Sequence, residues 1–321
     1  YSWPWIFWIN LPIAMVCAFI AWNMLKRYEL PLQKTRIDRV GLGLLIVWVG
    51  SLQLMLDEGK NLDWFSSHEI VALAIVAVVG FVAFLIWELH EEHPVVDLRV
   101  FRHRGFSVSV LTISLAFAAF FGANVLTPQW LQSYMGYTAT SAGMATAWTG
   151  VFAVCVAPIA ATLSHRVDPR KLVFGGVLWL GLITLTRTVA TTDMDYWSVS
   201  QPLMLMGLGL PFFFVPLTGL ALASVNEHET ASAAGLMSFL RTLSGAFATS
   251  LITTVWDDQI TRNHAELVGL SDSDQSVRTL LESSGMTPDA VLQSIDRLIS
   301  GQAVMLATNQ IMAFVGVAFI F

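Results

Sequence analysis

Nine apolar stretches, each long enough to cross a bilayer, fill most of this 321-residue chain, and none carries a carboxylate near its middle. They run approximately over 5–25, 40–56, 70–89, 106–127, 139–163, 171–190, 202–225, 233–256 and 302–321. A hydrocarbon core about 30 Å thick needs about 20 apolar residues in a helix. The runs are continuous rather than alternating, and lipid offers exposed backbone groups no partner, so the expected fold class is an all-α polytopic membrane protein rather than a barrel. Only 12% of residues are charged, where soluble domains carry about a quarter. All 23 Asp and Glu fall in connections or at segment ends, which leaves Arg187 and Arg241 as the only charges expected at membrane depth.

Lys and Arg alternate in density along the connections. Segment 26–39 holds five (Lys26, Arg27, Lys34, Arg36, Arg39), 57–69 holds only Lys60, and 90–105 holds Arg99, Arg102 and Arg104. None lies in 128–138, three lie in 164–171 (Arg166, Arg170, Lys171), and none lies in 191–201. Basic connections face the cytoplasm, so the chain is expected to start outside and end inside. Segment 226–232 breaks the rule: parity places it inside, yet it has no Lys or Arg.

Segment 257–301 is the one long polar piece and is expected outside. Thr287-Pro288-Asp289 has the form of an N-cap followed by a helix-opening Pro, and Ala290, Val291, Ile295, Leu298 and Ile299 follow at helical spacing. A short amphipathic helix on the outer membrane surface is expected there. Cys17 and Cys155 both lie within spans, far apart in sequence, and read as small apolar packing residues. His90 and His93 share a helical spacing, but Pro94 follows and no third ligand stands at a familiar distance, so no metal site is expected. With no phosphate-binding loop and no mid-span His or acid, an enzyme is not expected, nor is a nucleic-acid partner.

Four groups of residues carry the functional expectations. Arg241 lies about a third of the way into its span, among Gly235, Ser238, Ser244, Gly245 and Ala248, and a guanidinium there is costly unless it faces a cavity or a partner. Arg187 lies near a span end and is expected to snorkel outward. Pro211 and Pro216 are expected to interrupt and kink their span, so that Met204, Met206, Phe212, Phe213 and Phe214 form an adaptable apolar wall. Asn124 and Gln129, beside Thr127 and Gln132, are expected to offer hydrogen bonds near an outer mouth.

Several stretches together resemble the EmrB/QacA-type drug:proton antiporters of the major facilitator superfamily, a fourteen-span group. They are Trp3-Pro4-Trp5-Ile6-Phe7-Trp8-Ile9-Asn10-Leu11-Pro12-Ile13 (with Pro4 where the family has Arg or Gly), Ile37-Asp38-Arg39-Val40-Gly41, Leu52-Gln53-Leu54-Met55-Leu56-Asp57 and Asp63-Trp64-Phe65-Ser66-Ser67. Pro94-Val95-Val96-Asp97-Leu98-Arg99-Val100-Phe101, Gly136 to Gly143 and the surroundings of Arg241 continue the series in the family's order.

The resemblance implies a major facilitator fold of which this chain, read as a fragment, carries about nine of fourteen membrane helices. Residues 1–25 would be the last helix of the N-terminal bundle, 26–105 two extra linking helices, and 106–321 the C-terminal six-helix bundle with an extracytoplasmic loop at 257–301. Arg166, Asp168 and Arg170 would lie in a degenerate copy of the facilitator gating loop. The implied activity is proton-coupled efflux of hydrophobic or cationic drugs across the bacterial inner membrane by alternating access. It would draw on the proton motive force without a cofactor, together with a periplasmic membrane-fusion adaptor and an outer-membrane channel. A facilitator-fold transporter of a specific metabolite, and a scaffold or sensor that transports nothing, remain alternatives to it.

Overall fold

The computed structural model describes residues 4–26, 38–92, 94–271 and 288–320, and these are helical with no strand among them. They belong to two compact units, 1–38 and 39–321. In the first unit α1 (Trp5–Trp8) and α2 (Asn10–Leu25) are separated at Ile9. Pro4 precedes α1 and Pro12 stands in the first turn of α2, where a missing N–H forfeits no helical bond. Ile9 keeps helical dihedrals and donates its N–H to Trp5 O at 3.1 Å, so helical structure runs over the expected span 5–25.

The second unit supplies eight helices long and apolar enough to cross a membrane. They are α3 (Arg39–Glu58), α4 (His68–His90), α5 (Arg104–Ser133), α6 (Ala139–Ser164), α7 (Pro169–Thr186, continued by a 3₁₀ turn over Arg187–Val189), α8 (Tyr196–Ala223), α9 (Thr230–Ser271) and α10 (Pro288–Ile320). Start signals match their sequences: Ser67, Thr138, Asp168 and Asp195 each accept a backbone N–H from the first turn they cap.

Lipid is as apolar as Leu, so close approach and interhelical hydrogen bonds hold such helices together. Gly207 of α8 meets the Thr149 carbonyl of α6, and Gly209 meets the Trp179 ring of α7, with no room for a Cβ at either. Thr149 Oγ1 donates to Leu203 O at 3.0 Å and Trp179 Nε1 to Leu205 O at 2.7 Å. Each such bond contributes about 0.6 kcal/mol in membrane proteins. Helix α5 lies along α9 in the same direction, with Phe117 against Gly245, Gly122 against Ile252, and Tyr134 against Trp256. Helix α10 packs on α7 and α9, where Trp256 Nε1 donates to Thr308 Oγ1 at 3.0 Å. The core these contacts enclose includes Ile113, Leu126, Leu203, Phe213, Trp256 and Met312, while Val108, Val154, Phe174 and Phe314 point outward, as a lipid solvent permits.

Helices α3 and α4 form a hairpin through Trp48, which packs against Gly80, Phe81 and Phe84. The hairpin joins α9 through Trp48–Phe239, through Ser250 Oγ donating to Leu56 O at 2.9 Å, and through the ion pair Lys60–Asp257.

Two expectations are corrected. Among the described residues of 257–301 the expected short helix is not a separate one: residues 257–271 continue α9, and residues 288–301, helical as their spacing predicted, run on as the opening of α10. At 1.5 Å per residue, the 42-residue α9 is about 63 Å long, twice the hydrocarbon core. Asn263 Nδ2 donates to Ala303 O at 3.3 Å, and His264 stands 3.5 Å from Asp296, so the two extensions pack on each other. Thr287 and the connection before it lie outside the described residues. Likewise, Pro202, Pro211 and Pro216 do not break α8, which stays helical over 28 residues because α6, α7 and α5 grip it on three sides.

Candidate substrate path

Helix α9 places Ala234, Ser238, Arg241, Gly245 and Ala248 along one stripe, at spacings of three and four residues. The small residues bring α5 close enough for Phe117 to lie over Gly245, and Arg241 Cζ stands 5.5 Å from the Phe117 ring centroid. Phe117 stacks on Phe121 at 5.3 Å and meets Phe214 of α8 edge-on at 5.9 Å. Arg241 is the twelfth residue of α9, about 17 Å along its axis. Among the described residues no carboxylate is within ion-pair distance of it. A cation over an aromatic face gains about 0.5–2 kcal/mol, depending on desolvation. The face so formed, from α5, α8 and α9, presents rings and one held cation.

Arg187 does not snorkel. It turns into the bundle, where Nη2 donates to Thr127 Oγ1 at 2.6 Å and Nη1 lies 3.7 Å from Met206 Sδ. Thr127 is buried and passes its own proton to Ala123 O at 2.9 Å, so its lone pairs face the guanidinium. A cavity of about 40 Å³ adjoins Arg187, bounded by Trp130, Ser198, Thr308 and Met312. That space suits roughly one water molecule, not a drug-sized ligand.

The other expected path residues divide between faces. Asn124 is half-buried and stands two turns beyond Phe117 on the same side of α5, extending the aromatic face. Gln129 is half-buried and turned away from that side. Met206, Pro211, Phe213 and Pro216 are buried within the bundle, and Met204 is half-buried. Phe212 looks the opposite way from Phe214, into a cleft of about 490 Å³ between α6, α7 and α8, beside Ile159, Gly176 and Trp179. Of the three expected phenylalanines only Phe214 joins the aromatic face, where it meets Phe117. Beyond α9, a second cleft of about 380 Å³ runs between it and the α3–α4 hairpin, lined by apolar side chains that include Trp48, Phe81, Phe239 and Phe247.

At the end where α5, α7 and α9 begin, one carboxylate gathers several partners. Glu229, in the connection before α9, receives Arg102 Nη2 at 2.5 Å on one oxygen and His103 Nε2 at 2.9 Å on the other. Asn226 adds its side-chain amide at 2.9 Å and its backbone N–H at 3.3 Å. The Glu229 side chain is 7% exposed although Arg102 is 57% exposed, so the pair is closed on the acid's side only. Sequence reasoning missed this tie, yet it left a trace: segment 226–232 lacks Lys and Arg because its acid faces a basic neighbour. The expected gating-loop residues behave differently. Asp168 caps α7 by accepting the Arg170 N–H at 2.9 Å, and Arg166 and Arg170 are exposed.

At the opposite end, Asp195 accepts the Ser198 N–H and hydroxyl, and those bonds hold its carboxyl below the usual range. Burial pushes the nearby Tyr137 phenol up, aided by Asp195 and Tyr196. Among the described residues no cluster of metal-ligating side chains occurs, and His93 is outside them.

These features define a polytopic helical membrane protein whose bundle presents a lined face. A profile of the Major Facilitator Superfamily matches residues 1–249. The chain is 38% identical over 316 residues to the multidrug export protein EmrB of Escherichia coli strain K12, covering 97% of this chain and 62% of that protein. The fatty acid resistance protein FarB of Neisseria gonorrhoeae is 35% identical over 324 residues, covering 100% and 64%. The probable multidrug resistance protein EmrY of the same E. coli strain is 33% identical over 328 residues, again covering 100% and 64%. The chain therefore belongs to the Major Facilitator Superfamily, in its EmrB/QacA-type group. It spans about three-fifths of the length of these relatives.

Proposed function

We propose that this chain forms part of a proton-coupled exporter of hydrophobic, often cationic, drugs in a bacterial inner membrane. The observation that carries the reading is Arg241, within a helix apolar enough to span a membrane, on a face of Phe117, Phe121 and Phe214, with no acid paired to it among the described residues. Rings on several helices bind planar apolar and cationic molecules through stacking and cation–π attraction without demanding one shape. The held guanidinium supplies a fixed charge that a carboxylate from another part of the transporter would approach in one state and leave in the other. A proton moving inward delivers about 2.3 kcal/mol per 100 mV, and alternating access turns that into outward drug movement.

Asn124 extends the path outward, and Arg166, Asp168 and Arg170 act in the loop that favours one conformer. The projecting ends of α9 and α10 receive a periplasmic adaptor of the membrane-fusion class, which leads to an outer-membrane channel. The names of the relatives, drug export for one and fatty acid resistance for another, support apolar or amphiphilic cargo.

Accumulation of a hydrophobic cationic dye such as ethidium, in cells with and without the intact protein, tests this. The expected result is lower accumulation with the protein present, reversed by an uncoupler. Accumulation unchanged by deletion and indifferent to the uncoupler would sink the exporter reading and favour a scaffold. Saturable movement of one metabolite alone would favour the specific transporter.

A further inference from the structure

A groove between α5 and α7, floored by α8, lies on the outside of the bundle and away from the aromatic face. It holds about 550 Å³. Its walls are apolar and outward-facing: Val108 is 65% exposed and Phe174 is 69% exposed. Along α5 it extends from Arg104 to Thr112, about 12 Å.

At its mouth stand two guanidiniums, Arg104 and Arg170, and neither side chain has an ion-pair or hydrogen-bond partner among the described residues. Two of the hydroxyls lining the groove are already committed, since Thr112 donates to Val108 O at 2.8 Å and Ser224 donates to Leu220 O at 2.6 Å. Two acids at this end are committed too. Asp168 accepts the Arg170 backbone N–H, and Glu229 is held by Arg102 and His103. Each arginine also occupies the first turn of its helix, where the macrodipole disfavours positive charge and favours an anion.

A mouth with two open cationic donors above an outward-facing apolar channel is complementary to one kind of molecule, an anionic head on an acyl chain. Basic recesses between membrane helices on the cytoplasmic side bind anionic lipid headgroups by this chemistry. We propose that the groove between α5, α7 and α8 is a binding site for an anionic phospholipid of the adjoining leaflet. Its phosphate sits between Arg104 and Arg170, and one acyl chain lies against Val108, Val173, Phe174 and Leu220. This site is separate from the proposed drug path and does not depend on it.

The test uses the intact protein in nanodiscs of phosphatidylethanolamine containing a minor fraction of phosphatidylglycerol, with retained lipid measured by native mass spectrometry. The wild type is expected to retain phosphatidylglycerol selectively. The variant Arg104→Gln/Arg170→Gln is expected to lose at least tenfold of that selectivity while its thermal unfolding is unchanged, because both side chains are exposed. Arg99→Gln/Arg166→Gln, which removes the same charge elsewhere at that end, is expected to retain it. Val108→Trp, which narrows the channel and keeps both arginines, is expected to lower retention severalfold. Equal retention by wild type and the groove variant would overturn the proposal, as would an equal loss in the control variant, which would mean diffuse attraction only. Competition by soluble glycerol 3-phosphate at millimolar concentration would also overturn it, since the head alone would then be the ligand.

Discussion

Two arginines lie within helices apolar enough to span a membrane, and their surroundings differ in kind. Arg187 is closed in by side chains that can only hold it: a buried threonine oxygen, a methionine sulfur and a cavity the size of one water. Arg241 lies over a ring, on a stripe of small residues, beside further rings. A guanidinium whose donors are used by its own bundle contributes to packing, whereas one held by a π face keeps its donors for something that arrives. The difference separates a structural charge from a working one, and it rests on neighbours rather than on depth.

The sharpest way to break that comparison is to remove each charge in turn. Arg241→Met is expected to lower drug export at least tenfold, which corresponds to about 1.4 kcal/mol or more, with an unaltered melting temperature in detergent. Arg187→Met removes a charge together with its need for partners and is expected to be neutral or mildly stabilising, with export retained. Export lost in Arg187→Met at normal stability would erase the distinction.

Thr127→Val is expected to destabilise the bundle by about 1–3 kcal/mol in thermal unfolding, because it leaves the guanidinium buried against a methyl group. Reversing the tie at the other end with Glu229→Arg or Arg102→Glu is expected to slow export severalfold. The double reversal is expected to recover most of the rate, measured as dye efflux under a fixed gradient. The smallest effect tests the rings themselves. Phe214→Leu is expected to weaken binding of an aromatic cation about twofold to fivefold, whereas Phe212→Leu, in the cleft on the other side, is expected to leave it unchanged.

Much of the fold was legible because lipid imposes long continuous apolar runs, and helix α4 and helix α6 begin within two residues of their expected starts. The helix opening at Pro288 was legible, but its continuity with the last span and the extension of α9 past Trp256 were not. Polar residues such as Asp257 and Asn263 mark the end of an apolar run without saying that the backbone stops being helical. Prolines misled in the same manner: Pro211 and Pro216 remove donors from α8, but three packed neighbours hold the helix together. At the site, Arg241 and its small-residue stripe could be read directly from spacing. Phe214 was legible with its neighbours as part of an apolar wall, but Phe117 was not, since which ring meets a guanidinium is decided between helices far apart in sequence. The inward turn of Arg187 depends in the same way on Thr127, sixty residues away.

The central claim is that Arg241 on the aromatic face couples a proton gradient to drug movement. Proteoliposomes of the intact protein, given an imposed pH gradient and ethidium, test it with wild type and Arg241→Met side by side. The account predicts gradient-driven dye accumulation that an uncoupler collapses in the wild type and that is absent from the variant. Wild-type accumulation in Arg241→Met, or accumulation in the wild type that survives the uncoupler, would contradict it.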